Sequence, residues 1–460
     1  GGTITLAADN QTFSGTAANL SDAFAGGLAG TQTGAVTISD TGGTITATTL
    51  TGITAQTDGA VGMASGGPTI EGTTVEVTAA LVGDGRITAG ATQVSLTTDP
   101  TGPELALINA KTSGAITLTD ATQDFTGTAT QLAAAFDGFA DNALSGAITI
   151  SAGTINTTEL KTISDATSGA ITLPSTNFTL SGSSSDLADA LSGNFTNYAG
   201  AVTLTDAAPS VANLIIINNK TAGTITLNAN DATFSGTAAD LSTLFSGGFV
   251  GTQTGAVTIS DTTGTIAATT LSGIGEQTDG VVTAAASDIT ISGTAAEVTA
   301  ALVTTDKLVV AANAKVTITD TGSVAATVLS AIGAKTGGVV TCSGALTITG
   351  TPGEITDALV TTNSLVVASS ANVTFAGGNP TAAELAAINT AAGGTITLAA
   401  DNQTFSGTAA NLSDAFAGGL AGTQSGAVTI SDTSGTIAAT TLTGITAQTS
   451  GAVAIASGGV

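Results

Sequence analysis

The sequence predicts a mainly β fold: a right-handed parallel β-solenoid of about 16 coils of 23–32 residues, each with two short strands and a short capped helix. Three observations predict it. Long segments repeat, a strand motif recurs along the whole chain, and a helix-start signature recurs at one place in the repeat.

Residues 1–61 recur at 393–453 with four differences, Thr33/Ser425, Gly42/Ser434, Thr46/Ala438 and Asp58/Ser450. A diverged copy fills 223–283, so the offsets are 221 and 392 residues. Self-similarity of this kind marks a repeat architecture, and 1–460 reads as one continuous array. Neither end shows the distinct polar cap that isolated solenoids need. The array is therefore expected to continue in a longer chain, or to associate with itself end-to-end or laterally.

The first element is a strand, G-[AT]-[IV]-T-[ILV], starting at Gly2, Gly34, Gly114, Gly146, Gly169, Gly200, Gly223, Gly255, Gly394 and Gly426. Weaker versions fall near Gly59, Arg86, Gly280, Leu308, Gly338, Leu365 and Gly451. Alternation in Thr3-Ile4-Thr5-Leu6 points Ile4 and Leu6 inward and the threonines outward. A polar turn such as Ser39-Asp40-Thr41 comes next, then a second strand such as Thr12-Phe13-Ser14 or Thr44-Ile45-Thr46.

The last element is a helix with one apolar face. Its apolar pair is spaced i,i+4 in Leu20/Phe24, Leu132/Phe136, Leu241/Phe245, Val298/Leu302 and Ile355/Leu359. The spacing is i,i+3 in Leu50/Ile53, Leu160/Ile163, Leu271/Ile274 and Leu385/Ile388. Capping boxes open these helices at Thr101–Glu104, Thr128–Gln131, Thr237–Asp240, Thr294–Glu297, Thr351–Glu354 and Thr381–Glu384. Pro352 follows its cap, where a missing N–H does no harm.

One such repeat cannot bury its own apolar face, but stacked repeats can. Parallel pairing at about 4.8 Å per coil gives a rod on the order of 80 Å. Strand–helix–strand returns are right-handed in nearly all proteins. Continuous rows of Val and Ile inside and Thr outside follow.

Composition agrees with a thin core. There are 13 Phe, one Tyr and no Trp, against 60 Gly. Net charge is −26, from 33 acids and 7 bases, which argues against nucleic acid as a partner. Mean hydropathy is +0.43, yet no run of about 18 apolar residues exists to insert in a membrane. The single Cys342 excludes an internal disulfide framework, and such acidic, Cys-poor composition is common in secreted surface proteins.

Little in the chain suggests catalysis. There is no histidine, hence no imidazole base or ligand. Cys342 alternates like a strand residue. Asp40, Asp261 and Asp432 occupy equivalent turns, and Asp120, Asp206 and Asp320 end other strands. Rows of such carboxylates are Ca²⁺ candidates, although Asp is also ordinary turn chemistry. The capping Glu residues have a structural task. Gly26-Gly27 and Gly66-Gly67 lack the Lys of a phosphate loop. Outward Thr37, Thr117, Thr149, Thr172, Thr203 and Thr258 are expected to form one stacked ladder, and Asn19, Asn194 and Asn372 begin glycosylation sequons.

Three helix-to-strand segments carry a family resemblance: Glu104 through Lys111 into TSGAITL, Val211 through Lys220 into TAGTITL, and Glu384 through Asn389 into GGTITL. They resemble the repeats of giant surface proteins of marine cyanobacteria, a group that includes proteins linked to cell-surface motility. They are also similar to parts of cyanophage virion proteins. The resemblance implies a secreted, surface-associated role and supplies no catalytic residues. The expected function is a structural component of an extracellular fibre, filament or surface layer, not an enzyme and without a required cofactor. The alternatives are the stalk of an adhesin or phage fibre with its binding tip elsewhere, and an ice- or glycan-binding face.

Overall fold

The computed structural model describes all residues except 1–3, 65–66, 84, 152–154, 175–178, 196–197, 248, 305–308, 362–365 and 458–460. Gly2, Thr3, Gly66, Leu308 and Leu365 therefore lie outside the described residues. The chain clusters into two compact units, one holding Gly1–Asn228 with Gly248–Val250, the other Ala229–Gly247 with Gly251–Val460.

Both units are built the same way. Short strands of two to six residues alternate with helices, mostly of eight to ten, and every strand pairing among the described residues is parallel. The result is a repeat α/β fold. Helical residues outnumber strand residues, which corrects the expectation of a mainly β chain. The strands are narrow because a helix and two turns take up the rest of each coil.

The strand rows are also shorter than expected. Among the described residues they form eight sheets of three to five strands. The reason is a mismatch of two periods. Paired residues lie 22 to 27 positions apart, whereas successive helices start 26 to 31 positions apart. The helix spacing is longer than one backbone turn, so the helix slips along the coil.

In the first unit Phe125 pairs with Ile148, Ile148 with Ile171, and Ile171 bridges to Phe195. The helices Ala129–Phe136, Thr157–Ala166 and Ser184–Leu191 start 4, 9 and 13 residues after the first three of these. In the second unit Phe234, Val257 and Val282 stack, and the helices Ala238–Phe245, Ala268–Glu276 and Ala295–Leu302 start 4, 11 and 13 residues after them. A sheet thus begins just before one helix and closes just after another, a few coils on. For this reason Thr37, Thr117, Thr149, Thr172, Thr203 and Thr258 are spread over five sheets rather than one ladder, with only Thr149 and Thr172 directly paired.

The core is one strand face against one helix face. All nine apolar helix pairs named from the sequence are buried. Four coils add an edge-to-face Phe pair, Phe13–Phe24, Phe125–Phe136, Phe234–Phe245 and Phe405–Phe416, with centroids 5.2–5.7 Å apart. Such pairs contribute about 0.5–1.5 kcal/mol beyond burial. Ile4 departs from expectation. It is 54 % exposed and makes an isolated bridge to Leu28, so Ile4 does not face inward.

The glycine that opens the strand motif is required by close backbone approach. A Cβ on Gly223 would lie 2.0 Å from the Gly200 carbonyl oxygen of the preceding coil, and one on Gly146 1.9 Å from that of Gln123. No other residue fits there.

Candidate functional site

The polar side chains that the sequence offers for chemistry converge on the contacts between coils. Each helix begins with backbone N–H groups that have no partner within the helix. At Thr101, Thr128, Thr294, Thr351 and Thr381 the cap hydroxyl accepts from the third helical N–H, and Glu104, Gln131, Glu297, Glu354 and Glu384 reach back to the cap N–H. These are complete capping boxes. Thr73–Glu76 and Asn156–Glu159 are two more that sequence reading missed. The Glu76 carboxyl is held below its usual range by the Thr73 N–H and then the Thr73 hydroxyl. Thr237–Asp240 forms only half a box: the hydroxyl accepts from the Asp240 N–H and donates to its carboxylate.

The turn aspartates take a different N–H, the first of the helix in the coil before them. Asp40 accepts from Ala17 N–H at 2.7 Å, Asp261 from Ala238 at 2.7 Å, Asp320 from Ala295 at 2.6 Å and Asp432 from Ala409 at 2.6 Å. Asp206 accepts from both the N–H and the hydroxyl of Ser184, at 3.0 and 2.6 Å. Thr98 plays the same part for Thr74. A negative group at a helix N-terminus is also favoured by the helix dipole. Asp120 differs. It accepts from the hydroxyl and N–H of Thr122 in its own turn, and these hydrogen bonds lower its pKa.

The Ca²⁺ candidates Asp40, Asp120, Asp261, Asp320 and Asp432 thus sit in separate coils, each holding backbone or turn donors. Among the described residues no three Asp, Glu or Cys side chains come together to hold a metal ion.

A second polar row was not read from the sequence. In Thr-x-Gly segments just after a helix, the threonine is buried and bonded on every side. Thr278 donates toward the Gln253 and Gly255 carbonyls and accepts from Gly280 N–H at 2.9 Å. Thr57, Thr167 and Thr221 repeat the pattern. The signal was present as T-x-G at motif starts such as Gly169, Gly223 and Gly280, but these threonines precede the strand, where alternation assigns no face.

Cys342 lies in the strand Val340–Cys342 over Ile318, 6 % exposed, and its thiol is pushed up to about 11 by burial and then by Asp320. This is the environment of an inert core residue. The side chain of Asn372 accepts from Thr395 N–H at 2.8 Å. No helix among the described residues is long and apolar enough to cross a membrane.

These features define a repeat protein whose polar side chains tie coil to coil. No family model matches the chain, and no curated protein matches it either.

Proposed function

We propose that this chain is a structural segment of an extracellular fibre, filament or surface layer, each unit being a right-handed parallel β-solenoid. The observation that carries the reading is the use made of the acids. Asp40, Asp206, Asp261, Asp320 and Asp432 each hold a backbone N–H of the preceding coil. Such contacts serve cohesion, and with parallel backbone pairing they let the protein lengthen by adding repeats. Right-handedness follows from the parallel strand–helix–strand returns. The resemblance to giant cyanobacterial surface proteins points the same way.

The test is the denatured mass of the native chain in its source organism, with immunogold labelling of intact cells and virions. A mass far above 43.6 kDa with label on an external fibre or layer is the expected result. A mass near that value, or label confined to the cell interior, overturns the reading.

A further inference from the structure

One groove in the first unit departs from the inert pattern. Four loops that follow a helix-end Phe can be aligned within the chain: Ala25–Gly30, Asp137–Asn142, Ser246–Gly251 and Ala417–Gly422. Three consist of Gly, small or apolar residues. The second carries Asp137, Phe139, Asp141 and Asn142 where the others have mainly Ala and Gly. Asn142 has φ 56°, alone among described non-glycine residues in the left-handed region, at the position of Gly30, Gly251 and Gly422 with φ 76–84°. A polar side chain thus stands where backbone geometry favours glycine.

That loop is the wall between two cavities of about 530 and 520 Å³, each within the size range of small-molecule sites. The first is lined by Asn109, Asp137 and the half-buried Phe139, and the second by Asp141, Asn142, Asp165, Asn194 and Lys220. Lys220 donates to Gly193 O at 3.0 Å and has further N–H groups to offer. Ser164, 5 % exposed, also lines the second cavity.

We propose that this groove binds a neutral saccharide chain. Adjacent sugar hydroxyls require acceptors beside donors. The carboxylate of Asp141 accepts, while Asn142, Asn194 and Lys220 donate; Asp165 already holds Lys161 Nζ at 2.9 and 3.1 Å. The Phe139 ring offers an apolar surface for the C–H face of a pyranose, and the paired cavities suit an oligomer over a single sugar. The chain's charge of −26 disfavours anionic polymers. This inference does not depend on the fibre reading.

The test is calorimetric titration of the full chain with neutral hexasaccharides of glucose, mannose and galactose, and with a mixed peptide pool. Two variants accompany it. The double variant Asp141→Ala/Asn142→Gly restores residues that other loops of this chain carry, and Phe139→Ala removes the ring. At least one hexasaccharide is expected to bind, and both variants to weaken it by about tenfold or more, the double variant with an unchanged unfolding midpoint. Absence of binding by all three sugars, binding that neither variant alters, or binding of peptides alone overturns the proposal.

Discussion

The carboxylate of Asp261 accepts a hydrogen bond at 2.7 Å from the backbone N–H of Ala238, 23 residues earlier and one coil away. The Thr237 hydroxyl takes the third N–H of the same helix, from Asp240. Two side chains from two coils therefore divide the donors of one helix start. At Asp40, Thr98, Asp206, Asp261, Asp320 and Asp432 a later coil completes the helix start of the coil before it, which couples their stabilities.

Asp261→Ala should therefore destabilise the second unit by about 1–2 kcal/mol, the usual cost of losing a cap. Amide exchange at Ala238 should accelerate with it. A chelator should leave the unfolding midpoint of the parent protein in place. Unchanged exchange at Ala238 would remove the inter-coil cap from the account, and a chelator-induced drop would return the aspartates to metal binding.

Glycine substitutions should split by position. Gly223→Ala forces a Cβ onto the Gly200 carbonyl oxygen, and a loss of more than about 3 kcal/mol or failure to fold is expected. Gly273→Ala, within the helix Ala268–Glu276 and with nothing within 4 Å of its Cβ, should stabilise by about 0.5–1 kcal/mol. Denaturant titration of both variants checks the contrast, and equal effects would refute the close-approach argument.

The near-identical repeats contain a natural cap deletion. Thr46 accepts from Thr49 N–H, whereas Ala438 at the same place gives its helix no side-chain cap. Ala438→Thr should raise stability by about 1 kcal/mol, read as a shift in denaturation midpoint, while Thr46→Ala should lower it by a similar amount.

Alkaline pH should weaken the fold through Cys342. Its pKa rises from 9.0 to about 11 on folding, so the folded state holds the proton more tightly. The stabilisation is complete below the unfolded value and is lost as pH climbs through 9 to 11. Cys342→Ala should flatten stability in that window. A thiol reagent at pH 8 should modify the parent only as fast as it opens; rapid native-state reaction would contradict the burial.

Substituting Thr278 by Val keeps the shape but removes a hydroxyl that serves Gly280 N–H and two carbonyls. A cost of about 1–3 kcal/mol is expected from the unsatisfied groups. A neutral result by calorimetry would demote the Thr-x-Gly row to packing alone.

Local elements were legible because they depend on near neighbours. Thr351–Glu354 announces a helix start three residues long, and Leu132/Phe136 announces its buried face. Parallel pairing followed from the repeat. The role of Asp261 was not legible, because its partner lies a coil away and turn chemistry alone accounts for Asp at that place. Thr278 was not legible for a similar reason: the carbonyls it serves, those of Gln253 and Gly255, lie a coil away.

The sequence by itself determined the repeat, the strand and helix types, the caps and the apolar faces. Only the tertiary structure decided the register. Helices start every 26 to 31 residues, but strands pair at offsets of 22 to 27. Backbone pairing needs neighbouring strands about 4.8 Å apart, so a turn closes at the offset of the ladder, which strand motifs such as those of Ile148/Ile171 and Val202/Ile225 share and the helices do not. That mismatch shifts each helix along its coil and breaks the rows into short sheets. It also sets Asp261 over Ala238 instead of over its own counterpart in the next repeat.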